Sequence, residues 1–249
     1  HWSNQAQDQR TRLVFSLPGA DAAPLTHAAS DTAFDWTTRP VVLAQYPTEI
    51  SRKEMPVAVN PSYSAVAAGP VQIGHAAMQE WEILATEHGQ ALGMTLLRSV
   101  GWMSRRDLVT RGVGAGPDMA TPDAQCLGDD VFDFQLLLQD SVPVGEISDQ
   151  TPPLDLLRQA QLLRRPLQLL RGQAPSAWRS GHTIANPALQ VSACRSIEGT
   201  LELRVWNPTD QLQPLQINTK GWKPHGANAL AGSALDIAPR AIATFRRNL

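Results

Sequence analysis

Long apolar stretches are missing from this 249-residue sequence. No run approaches the roughly 20 residues a helix needs to cross a bilayer, so no membrane association is expected. Cysteine is nearly absent as well. Cys126 and Cys194 lie far apart and match no zinc or redox spacing. Such sparse usage predicts a reduced, cytoplasmic-type protein with two buried thiols, one long-range disulfide being the other option. Neither sign of charge dominates: 21 basic and 23 acidic residues leave a formal net charge of −2, and no basic stripe points to a nucleic-acid partner. Histidines stand singly at positions 1, 27, 75, 88, 182 and 225. No pair has the spacing of a helix-borne zinc site and none sits beside a Cys, so each reads as a surface or loop residue and no metal site is expected. The opening His1-Trp2-Ser3-Asn4-Gln5-Ala6-Gln7-Asp8 carries no Met, basic segment or apolar segment. It is not a signal peptide and reads as a cut inside a longer protein, just before a strand. What remains, 43% hydrophobic and 18% charged, suits one large β domain or two smaller ones.

What is present is a series of short runs with period two. Residues 10–17 form a strand-like stretch that stops at Pro18-Gly19. Glu80-Trp81-Glu82-Ile83-Leu84 alternates and meets a hairpin tip at His88-Gly89, with Ala91–Leu97 as the return strand. Residues 131–136 alternate so as to place Phe132, Phe134 and Leu136 on one face. Thr200–Trp206 alternates strictly before Asn207-Pro208, and Ile242–Arg246 reads as the closing strand. One segment departs from this pattern. Leu156–Arg165 has helical spacing, with Thr151 as its cap, Pro152 and Pro153 in the first turn and Pro166 as its stop. The fold class is therefore all-β, built as antiparallel β-sandwiches: a large β region over 1–140, a bridge over 141–187 with one short helix, and a small sandwich over 188–249.

No complete reaction centre is visible. No Ser stands in a nucleophile elbow. The densest carboxylates, Asp129-Asp130-Asp133 and Glu80-Glu82, read as solvated faces. Gly112-Val113-Gly114-Ala115-Gly116-Pro117 lacks the preceding strand and following helix of a phosphate loop; its glycines are expected to let a long loop fold closely back on the sheet. The stretch Thr95–Leu108 runs from a strand into a loop dense with Trp, Arg and Asp. Such a loop can hold a sugar, Trp102 stacking on the ring while Arg and Asp bond hydroxyls; the residues alone favour the plainer reading, in which Trp102 fills a core and the arginines pair with local carboxylates.

The same stretch carries a resemblance. Thr95–Arg105, then Ala115-Gly116-Pro117, then Thr121-Pro122-Asp123-Ala124-Gln125-Cys126-Leu127-Gly128 resemble the C-terminal region of bacterial glycoside hydrolase family 38 enzymes, the α-mannosidases and mannosylglycerate hydrolases. Ala6–Leu13 is similar to the family's N-x-A-x-D-H-R-L-R strand. Ser192–Arg195 through Leu203–Thr209 is similar to its S-x-x-K…R-x-Y/W-N-P-T segment. Departures occur at Ala77–Glu82, where the family often reads G-L-P-E-Y-E, at Asp8-Gln9-Arg10-Thr11-Arg12, and at Asp130 where His is common.

The resemblance implies a galactose-mutarotase-like supersandwich portion followed by the smaller sandwich. It also implies a retaining, zinc-dependent catalytic barrel elsewhere in the same polypeptide, with its two carboxylates. No catalytic or metal-binding position maps onto this chain, which alone is expected to be inactive and to hold no cofactor. Its partners would be that N-terminal catalytic domain and a mannoside substrate, and homo-oligomers are possible. The residues placed to reach the sugar are Arg98, Trp102, Arg105, Asp107 and Arg111; the alternative is that they pair with each other or with the barrel. A stand-alone carbohydrate-binding sandwich with Trp102 as platform is the second function class, and a scaffold the third. An exposed apolar face at Trp2, Trp36 or Trp102 would fit a docking or scaffold role.

Overall fold

The computed structural model describes residues 1–19, 23–78, 80–139, 152–165, 172, 184–217, 220–226 and 235–248. The Thr151 cap, the Pro166 stop and His182 lie outside these residues. The chain divides into two units, 1–32 with 38–147 and 33–37 with 148–249.

The first unit contains strands β1 (Trp2–Asn4), β2 (Arg10–Ser16), β3 (His27–Thr32), β4 (Asp35–Pro40, whose first residues count with the second unit), β5 (Asn60–Pro61), β6 (Ala65–Ala68), β7 (Val71–His75), β8 (Glu80–Thr86), β9 (Gly89–Arg98), β10 (Gly128–Asp130) and β11 (Phe134–Leu138). They form one antiparallel sheet in the order β2-β9-β8-β5 and another in the order β11-β7-β6-β3-β4, with β1 and β10 as a separate pair. Leu92 and Met94 of β9 and Trp81 and Ile83 of β8 share one buried cluster with Val66 and Ala68 of β6 and Val71 and Ile73 of β7. A single core fed by inward residues of two sheets is a β-sandwich, and alternation in β8 puts Trp81 and Ile83 inside. The expected hairpin is present: Thr86 pairs with Gly89 around Glu87-His88, and Gly89 takes φ +94°, which a side chain would resist.

The second unit holds α1 (Leu154–Arg164), β12 (Gln190–Ile197), β13 (Thr200–Trp206), β14 (Gln213–Pro214), β15 (Lys223–His225), β16 (Asp236–Ile237) and β17 (Ile242–Asn248). Its sheets run β12-β13-β17-β15 and β14-β16. Leu203 and Val205 of β13 and Ala243 and Phe245 of β17 bury against Leu189, Leu215, Trp222 and Ile237. The β12–β13 turn is Glu198-Gly199, both at positive φ, as a two-residue hairpin loop of right-handed twist requires. Helix α1 buries Leu156, Leu157 and Ala160, the spacing of one face. All-β sandwich architecture with one α-helix among the described residues is what the alternating runs predict.

Several local expectations need correction. The helix begins at Leu154 with Pro153 in the capping position and no side-chain cap, so the prolines precede the first turn rather than occupy it. Strand β11 begins only at Phe134. The chain leaves the β1–β10 pair at Asp130 and joins the β7 edge at Phe134, so residues 131–133 cross between sheets and Phe132 lies outside the strand. Both cysteines are exposed and unpaired rather than buried. His75 is fully buried on β7 with its Nε2 2.8 Å from Ser62 Oγ, not on the surface. Neighbouring Asp31, also buried, accepts the backbone N–H groups of Tyr63, Ser64 and Ala65 through Oδ1 and the Ser64 hydroxyl through Oδ2.

The pair Glu80 and Glu82 does share the outer face of β8, yet this face is not simply solvated. Arg10 and Arg12 on β2 reach across β9, Arg10 to both carboxylates (2.9 Å to Glu80, 3.5 Å to Glu82) and Arg12 to Glu82 (2.6 Å), whose side chain is 2% exposed. Opposite Glu82 on β9 stands Gly93. A Cβ there would meet Leu84 Cδ1 at 2.9 Å and Arg12 Cδ at 3.6 Å, so the missing side chain leaves the path by which Arg12 crosses.

Candidate functional site

The loop joining β9 to β10 starts on a buried polar footing. Asn4 Nδ2 donates to the carbonyls of Gln125 (2.9 Å) and Cys126 (3.0 Å) and to Ser99 Oγ (3.3 Å), while Ser99 Oγ donates to Gln125 O. Outward from this base the two arms of the loop pair like a ladder. Val100 N–H donates to Ala124 O, Thr121 N–H to Gly101 O and Met103 N–H to Met119 O, with Trp102 bridging Ala120. Backbone pairing therefore fixes the Trp102 segment without a regular strand.

Farther out the loop folds onto residues 50–55. Ser51 N–H donates to Val109 O, Met55 N–H to Thr110 O and Gly112 N–H to Ser51 O. A Cβ on Gly112 would lie 2.3 Å from Ile50 Cγ2 and 3.1 Å from Ser51 O. The glycine-rich stretch thus does permit close folding back, but against another loop rather than against the sheet. Ser104 Oγ accepts Ala115 N–H at 2.9 Å, closing the loop internally. Beyond Pro117 the chain runs to a 3₁₀ turn at Pro122–Gln125, with no helix to receive a phosphate.

The residues singled out in the sequence occupy this loop and its root. Arg105 grips Asp107 in a two-bond fork, Nε–Oδ1 2.8 Å and Nη2–Oδ2 2.5 Å. That fork raises the Arg105 value above its ordinary range and, from the other side, holds the Asp107 carboxyl below the usual carboxylate range. Arg98, at the end of β9, lies 3.2 Å from Glu80 with a side chain 61% exposed. Arg111 is 3.7 Å from Glu54, and its Nε is buried without a hydrogen-bond partner among the described residues. Trp102 is 46% exposed and Trp2 38%, whereas Trp36 is buried. Thus Arg105 and Asp107 are brought together, while Arg98 and Arg111 turn to different carboxylates. The loop exposes apolar as well as charged side chains, Met103, Val113, Met119 and Leu127 among them.

Sequence reading did not single out Asp8, Gln125 and Asn4, which hold the loop root. Asp8 and Gln125 lie in stretches that carry the resemblance, but the interactions span 93 to 122 residues and no local pattern links them; Asp does tolerate the left-handed backbone that Asp8 adopts at φ +50°. Among the described residues no group of three His, Cys, Asp or Glu gathers so as to hold a metal, and none of the helices is long and apolar enough to cross a membrane.

No protein-family model and no curated protein sequence matches this chain. Among solved structures, an α-mannosidase from Enterococcus faecalis is similar, with a TM-score of 0.66 and 21% identity over 99% of this chain. What the two share is the fold. The match covers 26% of the mannosidase chain, so this chain spans about a quarter of that enzyme's length.

Proposed function

We propose that this chain is the non-catalytic C-terminal β region of a retaining, zinc-dependent α-mannosidase-type glycoside hydrolase of family 38. In this role it supports the catalytic domain and turns the 99–121 loop toward the sugar pocket. The observation that carries the reading is the end-to-end likeness to one quarter of an α-mannosidase chain. The ordered sequence resemblance, from Ala6–Leu13 through Thr95–Gly128 to Leu203–Thr209, supports the narrower family assignment. Zinc does not fit the described residues of this chain, which offer no cluster of ligands. In the proposed parent enzyme the metal and both catalytic carboxylates sit in the barrel.

Within this reading the loop contributes recognition. Trp102 offers an apolar face to a sugar ring. Arg105, fixed by Asp107, keeps its remaining N–H groups for hydroxyl oxygens, and the fork removes rotamer freedom before binding. The test is a comparison of aryl α-mannoside hydrolysis by the parent polypeptide, zinc-loaded, carrying Trp102→Ala or Arg105→Ala. Both variants should raise KM or lower kcat about tenfold or more; parent activity unchanged by either removes the loop from the pocket.

The exposed Trp102 also favours a second reading, a stand-alone carbohydrate-binding module. Calorimetry of the 249-residue chain with mannose and small mannosides separates the two. Tight binding by the chain alone supports the module, and silence supports the dependent β region.

A further inference from the structure

The turn that presents Trp102 is held from below by a residue far away in sequence. Asp8 Oδ1 accepts the Gly101 N–H at 2.9 Å and the Gln125 Nε2–H at 3.1 Å, while Asp8 N–H donates to Gln125 Oε1 at 2.8 Å. Asp8 and Gln125 therefore bind each other reciprocally, and Gly101 docks on the pair. Gln125 is buried, and its own carbonyl is held by Asn4 and Ser99. Position 101 is matched to this clamp: a Cβ there would fall 2.7 Å from Gln125 Nε2 and 3.1 Å from Asp8 Oδ1. Asp8 reaches this position with φ +50°, a left-handed conformation that Asp adopts more readily than most non-glycine residues.

The clamp does something the ladder does not. The ladder bonds of Val100, Met103 and Thr121 tie the two arms of the loop to each other. The bond to Asp8 ties the Gly101 N–H to the N-terminal segment, one step beyond the loop root where Ser99 N–H donates to Gln9 O and Asn4 donates to Ser99 Oγ and Gln125 O. We infer that Asp8 is the positioning residue of the Trp102 turn, acting through Gly101 and Gln125 to fix the height and tilt of the loop on the β1–β10 end of the first unit. Its significance for sugar recognition rests on the reading of this loop given above, but the clamp itself is testable without any sugar.

Three variants of the full chain decide it. Asp8→Ala removes both bonds to Oδ1. Asp8→Asn retains an oxygen that accepts from Gly101 and Gln125. Gly101→Ala drives a methyl group into the clamp. The first readout is limited trypsin digestion, with mass spectrometry locating cuts after Arg105 and Arg106 in the exposed loop. The second is hydrogen exchange of the Gly101 amide, referenced to Leu92 in the β9 core. For Asp8→Ala and Gly101→Ala, loop cleavage and exchange of the amide at position 101, taken relative to that residue type's intrinsic rate, should both rise about tenfold or more while Leu92 protection is unchanged. Asp8→Asn should stay within about twofold of the unaltered chain, a rescue that a general effect of charge would not produce. The inference is overturned if Asp8→Ala leaves both rates unchanged, or if Asp8→Asn is as loose as Asp8→Ala. Should Asp8→Ala fail to fold, Gly101→Ala answers by the same two rates. A loosened loop in a parent enzyme whose mannoside kinetics ignore Trp102 would defeat the sugar reading and leave the clamp standing.

Discussion

Replacing Glu82 by alanine tests the most buried carboxylate among the described residues of the first unit. Its side chain is 2% exposed, with Arg12 Nη2 at 2.6 Å and Arg10 Nη1 at 3.5 Å. Removing one partner from a fully buried ion pair costs about 3–5 kcal/mol, because the other charge is left without compensation. Here both arginines are about a quarter exposed and can turn partly to water, and Arg10 keeps Glu80 and the Thr95 hydroxyl. The expected loss is therefore smaller, about 2 kcal/mol, or roughly 4–8 °C in the unfolding midpoint of a unit this size. Thermal denaturation near neutral pH, followed by the circular dichroism of the β-sheets, reads this out. A double-mutant cycle with Arg12→Ala isolates the pair and should give a coupling of about 1–2 kcal/mol. The reasoning is wrong if Glu82→Ala melts within about 1 °C of the parent chain, or if the coupling with Arg12 lies within about 0.3 kcal/mol of zero.

Two carboxyls should shape the pH dependence in opposite senses. Burial pushes Asp31 above its ordinary value of 3.8, outweighing the Ser64 and backbone bonds that pull it down. Its contribution to folding is therefore full below 3.8 and is lost as pH rises through the higher folded value. Asp31→Asn, which keeps an oxygen for the three backbone N–H groups, should be as stable as the parent or more so at neutral pH; clear destabilisation there would count against this. Glu202 is held below its ordinary 4.5 by Arg246 and then Arg195, so its contribution is present above 4.5 and disappears as pH falls through the lower folded value. Glu202→Gln should flatten the acid limb of the second unit's stability curve, and an unaltered limb would contradict the assignment. Cys126 and Cys194, both exposed, should react with a thiol reagent in the native chain; reaction only after denaturation would place them inside.

The strands that period two reveals are those with one face on a core. Trp81 and Ile83, and Leu203 and Val205, point inward just as alternation requires. The opposite faces were much less legible. Glu82 reads as a solvated carboxylate until Arg12 is seen crossing a glycine on the intervening strand, a relation among three strands that local pattern does not contain. His75 sits in Val71-Gln72-Ile73-Gly74-His75, a strand buried on both faces, where alternation carries no signal about which polar residues have partners. Of the candidate site, the loop and its arginines were legible from their density of chemistry-bearing side chains. The fork of Arg105 on Asp107 follows from a two-residue spacing that only the loop backbone decides, and the Asp8–Gln125 clamp spans 117 residues. Long-range polar closure is written in geometry more than in composition.

The most direct test of the central claim is an aryl α-mannoside hydrolysis assay on the purified 249-residue chain, supplied with zinc and freed of any other polypeptide. Turnover should stay at the uncatalysed background because neither opposed carboxylates nor a metal cluster is proposed for this region. Steady release of the aryl group at ordinary enzymatic rates would contradict it.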